Sequence, residues 1–451
     1  MKIGLEVHLQ LPTRSKLFCS CPTTAERPNT AVCPTCLGLP GSRPVMNRRA
    51  LHLGLMITKF LDCKVNEKVW FSRKTYFYPD LPKDFQITQY ESPLGTDGHF
   101  TLNDHRIGIW RVHLEEDPGR IKRVGRSGEE VSFIDYNRSG IPLVEIVSAP
   151  DLRSPDEARE YIDMLVTELR HLVGLSVQDE QTVRVDANIS VGEERVEVKN
   201  VQGLRNLERA LRYEANRQAK VLEAGKKVVR ETRRYDEERK VTLPAREKEF
   251  EEDYGYIGEP DLGEFTIGPM ARELVIPETP YRRAERLAQQ YGIEHNTARQ
   301  MVNTSWSMAD LFESLCESVP VEKALTWVLG PISAYWSKFE VLVRDGRTEE
   351  IAVVIKADVD GTITDNEARL RLLRLVGEAD QEDGPTCEPG SNLESLVDQY
   401  LEAHPEVLED CKKNPKAANR VIGHLMKETK GLYSSKDIVS CVEAEVKKRL
   451  G

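Results

Sequence analysis

The sequence predicts an α+β protein in which a β-rich cradle comes first, a helical domain follows and a small helical tail closes the chain. Three observations lead there. Several stretches between Lys2 and Lys199 alternate apolar and polar side chains with the period of two that belongs to strands. From Ala271 onward, apolar residues recur at helical spacing instead. Between them in character is a turn-rich segment, Cys19 to Cys36, that holds four of the nine cysteines and little regular pattern. The 451 residues are enough for roughly two to four domains with their own cores.

Composition narrows the class. With 39% hydrophobic and 30% charged residues, the chain reads as globular. No apolar run reaches the ~18 residues needed to cross a bilayer, and no secretory leader is expected. A net charge of −11 excludes a general nucleic-acid coat. Residues 201–250 nevertheless carry fourteen Lys/Arg against nine Asp/Glu, a local excess that suits RNA. An odd number of cysteines, four of them clustered, argues for a reducing, cytoplasmic setting and a metal site over a disulfide framework.

In chain order, Lys2–Leu11 is the first strand. Ile3, Leu5, Val7, Leu9 and Leu11 share one face; Gly4, Glu6, His8 and Gln10 share the other. Two residues of rise place Glu6 and His8 about 7 Å apart on the polar side. A carboxylate beside an imidazole can hold a metal ion or flank a reacting group; the plain alternative is a solvated strand face. Cys19-Ser-Cys21 and Cys33-Pro-Thr-Cys36 have the spacing of a tetrahedral zinc site. Four thiolates leave no open coordination position, so such a zinc would be structural. Residues 45–61 read as a buried helix, with His52 as a structural histidine.

Residues 69–95 mix aromatics, prolines and basic groups, including Trp70, Tyr76, Tyr78, Arg73, Lys74 and Lys83. Rigid loops of this kind suit a phosphate-bearing or RNA ligand, with a Tyr/Phe core strand as the alternative. Alternation resumes at Ile107: Trp110, Val112 and Leu114 on one face, Arg111, His113 and Glu115 on the other. Parity therefore selects Glu115 over Glu116 for the polar side. Asp135–Pro142 is a turn, and Leu143–Val147 an apolar strand interrupted by Glu145, a carboxylate that needs a partner, a metal or an edge position in water. Ser154-Pro-Asp-Glu157 caps a helix that Gly174 ends. Val183–Val191 and Arg195–Lys199 form a hairpin whose polar faces carry Arg184, Asp186, Asn188, Glu197 and Lys199. Several carboxylate-bearing faces with basic turns nearby suit Mg²⁺ and a polyphosphate.

Residues 206–225 read as a helix, 226–253 as strand and loop, and 258–269 as a linker. Helices follow over 280–291, 294–302, 308–317, 320–336 and 365–379, with a short β-branched piece at 351–355. Residues 381–392 read as a second linker, and the tail as helices near 393–403, 415–428 and 435–449, with a basic cluster at Lys412, Lys413, Lys416 and Arg420. The chain holds no G-x-x-x-x-G-K-[ST] loop, which excludes a P-loop kinase.

Taken together, Gly4–His8, Cys33–Pro40, Arg73–Lys83, Gln86–Gln89, His113–Asp117, Asp135–Ser148, Arg184–Ser190, Glu197–Asn200 and Glu259–Leu262 resemble the B subunit of the aspartyl/glutamyl-tRNA amidotransferase, the GatB family. The resemblance implies a catalytic cradle over 1–268, a helical domain over 269–385 and a tail over 386–451 similar to the YqeY family, which helps grip tRNA. It implies a carbon–nitrogen ligase with glutamine as amido donor. ATP phosphorylates the side-chain carboxylate of Asp-tRNA(Asn) or Glu-tRNA(Gln), and ammonia displaces the phosphate. The implied partners are the amidase (A) subunit, which releases the ammonia, and the small (C) subunit, in a heterotrimer, together with the misacylated tRNA.

Carried over by position, Glu6, His8 and Glu115 would hold Mg²⁺, with Glu145 and Asp186 close by. Arg73, Lys74, Lys83, Arg138 and Lys199 would face ATP phosphates or the tRNA end, Lys74 and Lys199 within the catalytic group. Cys19, Cys21, Cys33 and Cys36 would hold structural Zn²⁺. A non-catalytic, zinc-containing tRNA-binding scaffold is the competing reading. It gives no reason for carboxylates on polar faces beside phosphate-binding groups. The related archaeal E subunit shares the cradle but carries an insertion for which this chain has no room. Whether Asp-tRNA or Glu-tRNA is the substrate stays open in the sequence.

Overall fold

Strand β1 (Lys2–Gln10) lies near the middle of the sheet that organises the N-terminal part of the chain. The computed structural model describes residues 1–103, 105–126, 129–175, 183–201, 203–245, 255–378, 392–429 and 433–450. They divide into two units, Met1–Tyr281 and Arg282–Gly451.

In the first unit the strands that follow are β2 (Lys64–Val65), β3 (Lys68–Val69), β4 (Ser72–Thr75), β5 (Phe85–Thr88), β6 (Gly95–Leu102) and β7 (His105–Glu116). Next come β8 (Arg120–Arg126), β9 (Glu129–Asp135), β10 (Pro142–Ser148), β11 (Val183–Ser190) and β12 (Val196–Val201). The last are β13 (Glu231–Asp236), β14 (Val241–Pro244), β15 (Gly255–Gly258) and β16 (Phe265–Thr266). Twelve of them form one sheet in the order β14-β13-β12-β11-β1-β10-β7-β5-β4-β15, with β6 pairing β7 and β2. The pairs are antiparallel except β12 with β13. β8 and β9 make a separate ribbon, and β16 pairs β3.

The helices of this unit are α1 (Pro34–Leu37), α2 (Arg48–Phe60), α3 (Pro155–Val173), α4 (Leu204–Glu223) and α5 (Gly268–Glu273). The odd-numbered residues of β1 are buried with Leu53, Leu55, Ile162, Leu165, Leu207 and Leu211 of α2, α3 and α4 in one core. Period-two strands thus give that core one face and leave the polar face for chemistry. Asn47 caps α2 by accepting from the amides of Arg49 and Ala50. Ser154 caps α3 by accepting from Glu157 N, and Gly174 ends it in the left-handed conformation at φ 77°.

The expected linker at 258–269 is not one. Phe265 and Thr266 pair with β3, and Ile267 and Ala271 are buried in the same core as β1, so the first unit continues through Tyr281. Glycines and prolines mark turns there, but Phe265, which meets the Phe71 ring edge-on, and the buried Ile267 anchor the short strand between them.

The second unit is helical: α6 (Pro280–Tyr291, which starts at the end of the first unit), α7 (His295–Thr304), α8 (Trp306–Cys316), α9 (Val321–Trp327), α10 (Trp336–Arg344), α11 (Thr348–Val359) and α12 (Asp365–Leu375). The tail holds α13 (Leu393–Ala403), α14 (Pro405–Lys413), α15 (Asn419–Thr429) and α16 (Ser435–Leu450). The buried residues form two clusters, Ala284 to Leu372 and Leu393 to Val446. The β-branched piece at 351–355 belongs to α11: Ile351 and Ile355, four apart, both face the core, and helical spacing overrides β propensity. The expected single helix over 320–336 opens into a π-turn at Val328–Ile332, where Pro331 has no N–H to give the regular ladder. The proposed second linker, 381–392, lies outside the described residues except for Asn392, which caps α13.

Candidate catalytic face and four-cysteine cluster

Register builds the polar face. Across β1 and β11, Glu6 is opposite Asp186, His8 opposite Arg184 and Gly4 opposite Asn188. On the other side, His8 is opposite Glu145, and Glu145 is opposite His113 of β7. Directly opposed side chains on an antiparallel pair share a face. Glu6, His8, Gln10, Glu145, His113, Glu115, Asp186 and Arg184 therefore come together from four strands, and Glu197 of β12 joins opposite Asn188.

His8 Nδ1 lies 3.3 Å from Glu115 Oε1 and 3.9 Å from Glu145 Oε2. His113 Nε2 lies 3.3 Å from the same Glu145 oxygen and 3.8 Å from Glu115 Oε2. Glu145 is thus the buried, partnered carboxylate that an apolar strand requires; it is on an inner strand and not at an edge. On the far side of His8, Asn188 Nδ2 donates to Glu6 Oε1 at 3.1 Å.

Electrostatics follow from this packing. Burial works against the imidazolium of His8, but Glu115, Glu145 and Asp186 outweigh it and raise its pKa to about 10. His113 is raised in the same way, against its own burial, by Glu145 and Glu115. Burial alone would raise both of their partners, yet the two imidazoles hold Glu145 down at about 2 and Glu115 well below the usual carboxylate range. Glu6 goes the other way, to about 7, because it is buried and faces Glu145, Asp186 and Glu197. The carboxylates outnumber the imidazoles, so the face offers a donor set able to hold a cation.

Two groups of ligating atoms lie within 4.8 Å of one another, Glu6–His8–Asp186 and His8–Glu115–Glu145. The sequence grouping of Glu6, His8 and Glu115 is not among them. Glu6 and Glu115 sit in different groups that share His8, because β10 separates β1 from β7 and Glu145 occupies the space between. Gln10, His113, Asp117, Arg184, Asn188 and Glu197 join the site beyond the residues expected from the sequence. Parity had already put His113 on the right face. Asp117 lies beyond the strand end and gave no periodic signal; it is fully buried and accepts from Gln10 and Arg184.

Arg73, Lys83, Arg138 and Lys199 are held by carboxylates or carbonyls. Arg73 makes two hydrogen bonds to the buried Glu259, at 2.8 and 2.9 Å. Lys83 donates to Glu116, 2.7 Å to Oε1, and Glu116 also accepts from Ile87 N. Glu116 thus points away from His8, as parity requires. Arg138 donates to the carbonyls of Pro118 and Gly119 and lies 3.6 Å from Asp117. Lys199 is 3.7 Å from Glu197. Lys74 lies 6.0 Å from the Tyr76 ring centre.

The four cysteines converge as well. Cys36 Sγ is 3.5 Å from Cys19 and 3.7 Å from both Cys21 and Cys33. Metal–sulfur bonds of ~2.3 Å in a tetrahedron put sulfurs about 3.8 Å apart, so the cluster is able to bind a metal. An isolated bridge between Ser15 and Pro22 presents Cys19 and Cys21, and α1 presents Cys33 and Cys36. Gly38 closes α1 at φ 64°, where a Cβ would meet Lys83 Cγ at 2.8 Å. Hydrogen bonding to Cys19 and the nearby Lys16 bring the Cys36 thiol down to about 4, and burial pushes Cys21 up to about 11. Among the described residues, no helix is long and apolar enough to cross a membrane.

Residues 1–273 match the family model described as the GatB/GatE catalytic domain, and residues 310–446 the one described as the GatB domain. Among curated proteins, the chain is 38% identical to the B subunit of the aspartyl/glutamyl-tRNA(Asn/Gln) amidotransferase of Methanoregula boonei, covering 99% of this chain and 98% of that one. It is 38% identical to the corresponding B subunit of Saccharolobus solfataricus (95% and 96% covered) and 40% identical to that of Moorella thermoacetica (95% and 96%). With the polar face inside the first matched region and similarity running nearly end to end, the chain belongs to the GatB family.

Proposed function

We propose that this chain is the transamidating subunit of a tRNA-dependent amidotransferase, a carbon–nitrogen ligase acting on Asp-tRNA(Asn), Glu-tRNA(Gln) or both. The observation that supports it most is the His8–Glu115–Glu145 group on the polar face of the region matched as catalytic. A carboxylate is a poor electrophile. Transfer of the ATP γ-phosphoryl group to the side-chain carboxylate releases ADP and gives an acyl phosphate. Ammonia then forms the C–N bond as the C–O bond to phosphate breaks, so the products are the amide, ADP and phosphate.

The donor set fits a hard divalent cation such as Mg²⁺, with carboxylate oxygens and one imidazole nitrogen. Glu6, His8, Glu115, Glu145 and Asp186 are the residues to hold it; when bound it neutralises phosphate charge. The chain's own groups do the rest. His113 fixes the carboxylates of Glu145 and Glu115. Asn188 fixes Glu6. Arg73, Lys74, Lys83, Arg138 and Lys199 are the basic residues to orient phosphates or the tRNA terminus once substrate displaces their present contacts. The sulfur spacing of Cys19, Cys21, Cys33 and Cys36 fits a structural Zn²⁺. The tail, 386–451, helps hold tRNA, and an amidase partner with a small third subunit supplies ammonia.

The test is amide formation and ATP hydrolysis by this chain with both partner subunits, on each tRNA separately, with and without Mg²⁺. Mg²⁺-dependent amidation of either tRNA is expected. Binding of tRNA with no ATP turnover on either would make the chain a scaffold.

A further inference from the structure

Lys16 is a lysine with 1% of its surface exposed, among the largest fully buried side chains of the protein. Its Nζ donates to Cys36 Sγ at 3.4 Å and to the carbonyl of Tyr136 at 3.2 Å. No carboxylate forms an ion pair with it among the described residues, and the Cys36 sulfur is the one side chain it hydrogen-bonds. A buried ammonium is costly unless it is compensated by an opposite charge and by hydrogen bonds.

The carbonyl it reaches also accepts from Ser139 N at 3.1 Å, closing the turn after β9. That turn is fixed on several sides. Leu17 N donates to Gly140 O, Gly140 N to Asp117 O, and Gly140 itself takes φ 86°. A Cβ at Gly140 would stand 3.5 Å from both Lys16 Cδ and Glu116 Oε1. Arg138, in the middle of the turn, wraps the carbonyls of Pro118 and Gly119 and approaches Asp117, which in turn accepts from Gln10 and Arg184 on the polar face.

We propose that Lys16 is a positioning residue: the counter-ion of a metal-loaded Cys19–Cys21–Cys33–Cys36 site and the tie between that site and the Tyr136–Gly140 turn. The inference rests on the four-cysteine metal reading. Four thiolates around one divalent cation leave a net charge of minus two, which a single buried ammonium partly offsets through an N–H···S bond. Outer-shell partners of this kind hold ligands in place. Metal loading then fixes Lys16, Lys16 fixes the Tyr136 carbonyl, and the turn holds Arg138 against Asp117. The cluster acts on the polar face without touching substrate.

The test uses the full-length protein and three readouts. Zinc content of the wild type is measured first; its absence would overturn the metal reading itself. Lys16→Met keeps length and removes the charge, and Lys16→Arg keeps the charge. Competition with a chromophoric chelator should show zinc bound roughly 10–100-fold more weakly in Lys16→Met, with Lys16→Arg close to wild type. Amide hydrogen exchange at 136–141 should quicken in Lys16→Met while β1 and β10 stay protected. Zinc affinity equal to wild type in Lys16→Met, or loss of zinc without faster exchange at 136–141, would overturn the proposal. If Lys16→Met does not fold, chelation of the wild type decides the same point: exchange at 136–141 must rise before that of β1. Exchange there that rises only with global unfolding would overturn the tie.

Discussion

His8 and Glu145 face each other across the β1–β10 ladder, with the imidazole Nδ1 3.9 Å from a carboxylate oxygen. Neither strand could bring the pair together alone, since 136 residues lie between them along the chain. The ladder places His113 on the far side of Glu145, so one carboxylate is shared by two imidazoles.

Glu115→Gln should remove a ligand oxygen's charge and one partner of each imidazole. Amidation is expected to fall at least about a hundredfold, the scale of losing one preorganised electrostatic contact. Binding of tRNA and the melting profile should change little. A filter-binding assay run beside single-turnover amidation separates these effects; retained activity would remove Glu115 from the metal group.

Metal affinity should depend on pH in a stated direction. Without metal, His8 holds its proton up to about 10 and Glu6 titrates near 7. A cation must displace both protons, so its apparent affinity should rise as pH increases from about 6 to 9 and should release protons on binding. Calorimetry with Mg²⁺ in two buffers of different ionisation enthalpy measures this release. A pH-independent affinity with no proton release would mean that neither group is a ligand.

Cys33→Ser combined with Cys36→Ser should abolish zinc binding and lower the melting temperature of the first unit. Metal analysis and differential scanning calorimetry check it. Unchanged melting together with a zinc-free parent would leave the cluster without a structural role.

Arg73→Ala should leave the carboxylate of Glu259, 5% exposed, without its two guanidinium hydrogen bonds. A cost of about 1–3 kcal/mol is expected for an unsatisfied buried polar group, towards the lower end because Arg73 is itself partly in water. Double substitution, Arg73→Ala with Glu259→Gln, should recover part of the stability, read by urea unfolding.

Removing 393–451 should raise KM for tRNA far more than KM for ATP. Steady-state kinetics of the truncated chain in the assembled enzyme decides it, and an unchanged KM for tRNA would count against a tRNA-gripping tail.

Much of this was legible in the sequence, for reasons visible in particular residues. Alternation from Ile3 to Leu11 and from Val183 to Val191 fixed which side chains share a face, and parity separated Glu115 from Glu116. The four cysteines announced themselves by spacing. Periodicity could not supply the order of strands, so it could not tell that β10 intervenes between β1 and β7 and splits Glu6 from Glu115. Asp117 and Lys16 carried no local signal either. An acidic residue after a strand and a lysine in a loop are usually solvated, and only tertiary packing buries them. The 258–269 stretch failed for the opposite reason: its glycines and prolines are real turns, but the two residues Phe265 and Ile267 between them belong to the sheet and core.

The position of β1 also has a consequence for synthesis. Lys2–Gln10 is translated well before its neighbours in the sheet, Pro142–Ser148 and Val183–Ser190. Ile3, Leu5, Val7 and Leu9 have no strand partner until roughly 140 further residues have emerged, which at ~5–20 residues per second is many seconds. During that interval the nascent chain carries an apolar, edge-exposed segment, and closing so long a loop is what the central ladder must wait for. The polar face of β1 can therefore be completed only after β10 and β11 have been translated, which leaves the apolar side of β1 uncovered in the meantime.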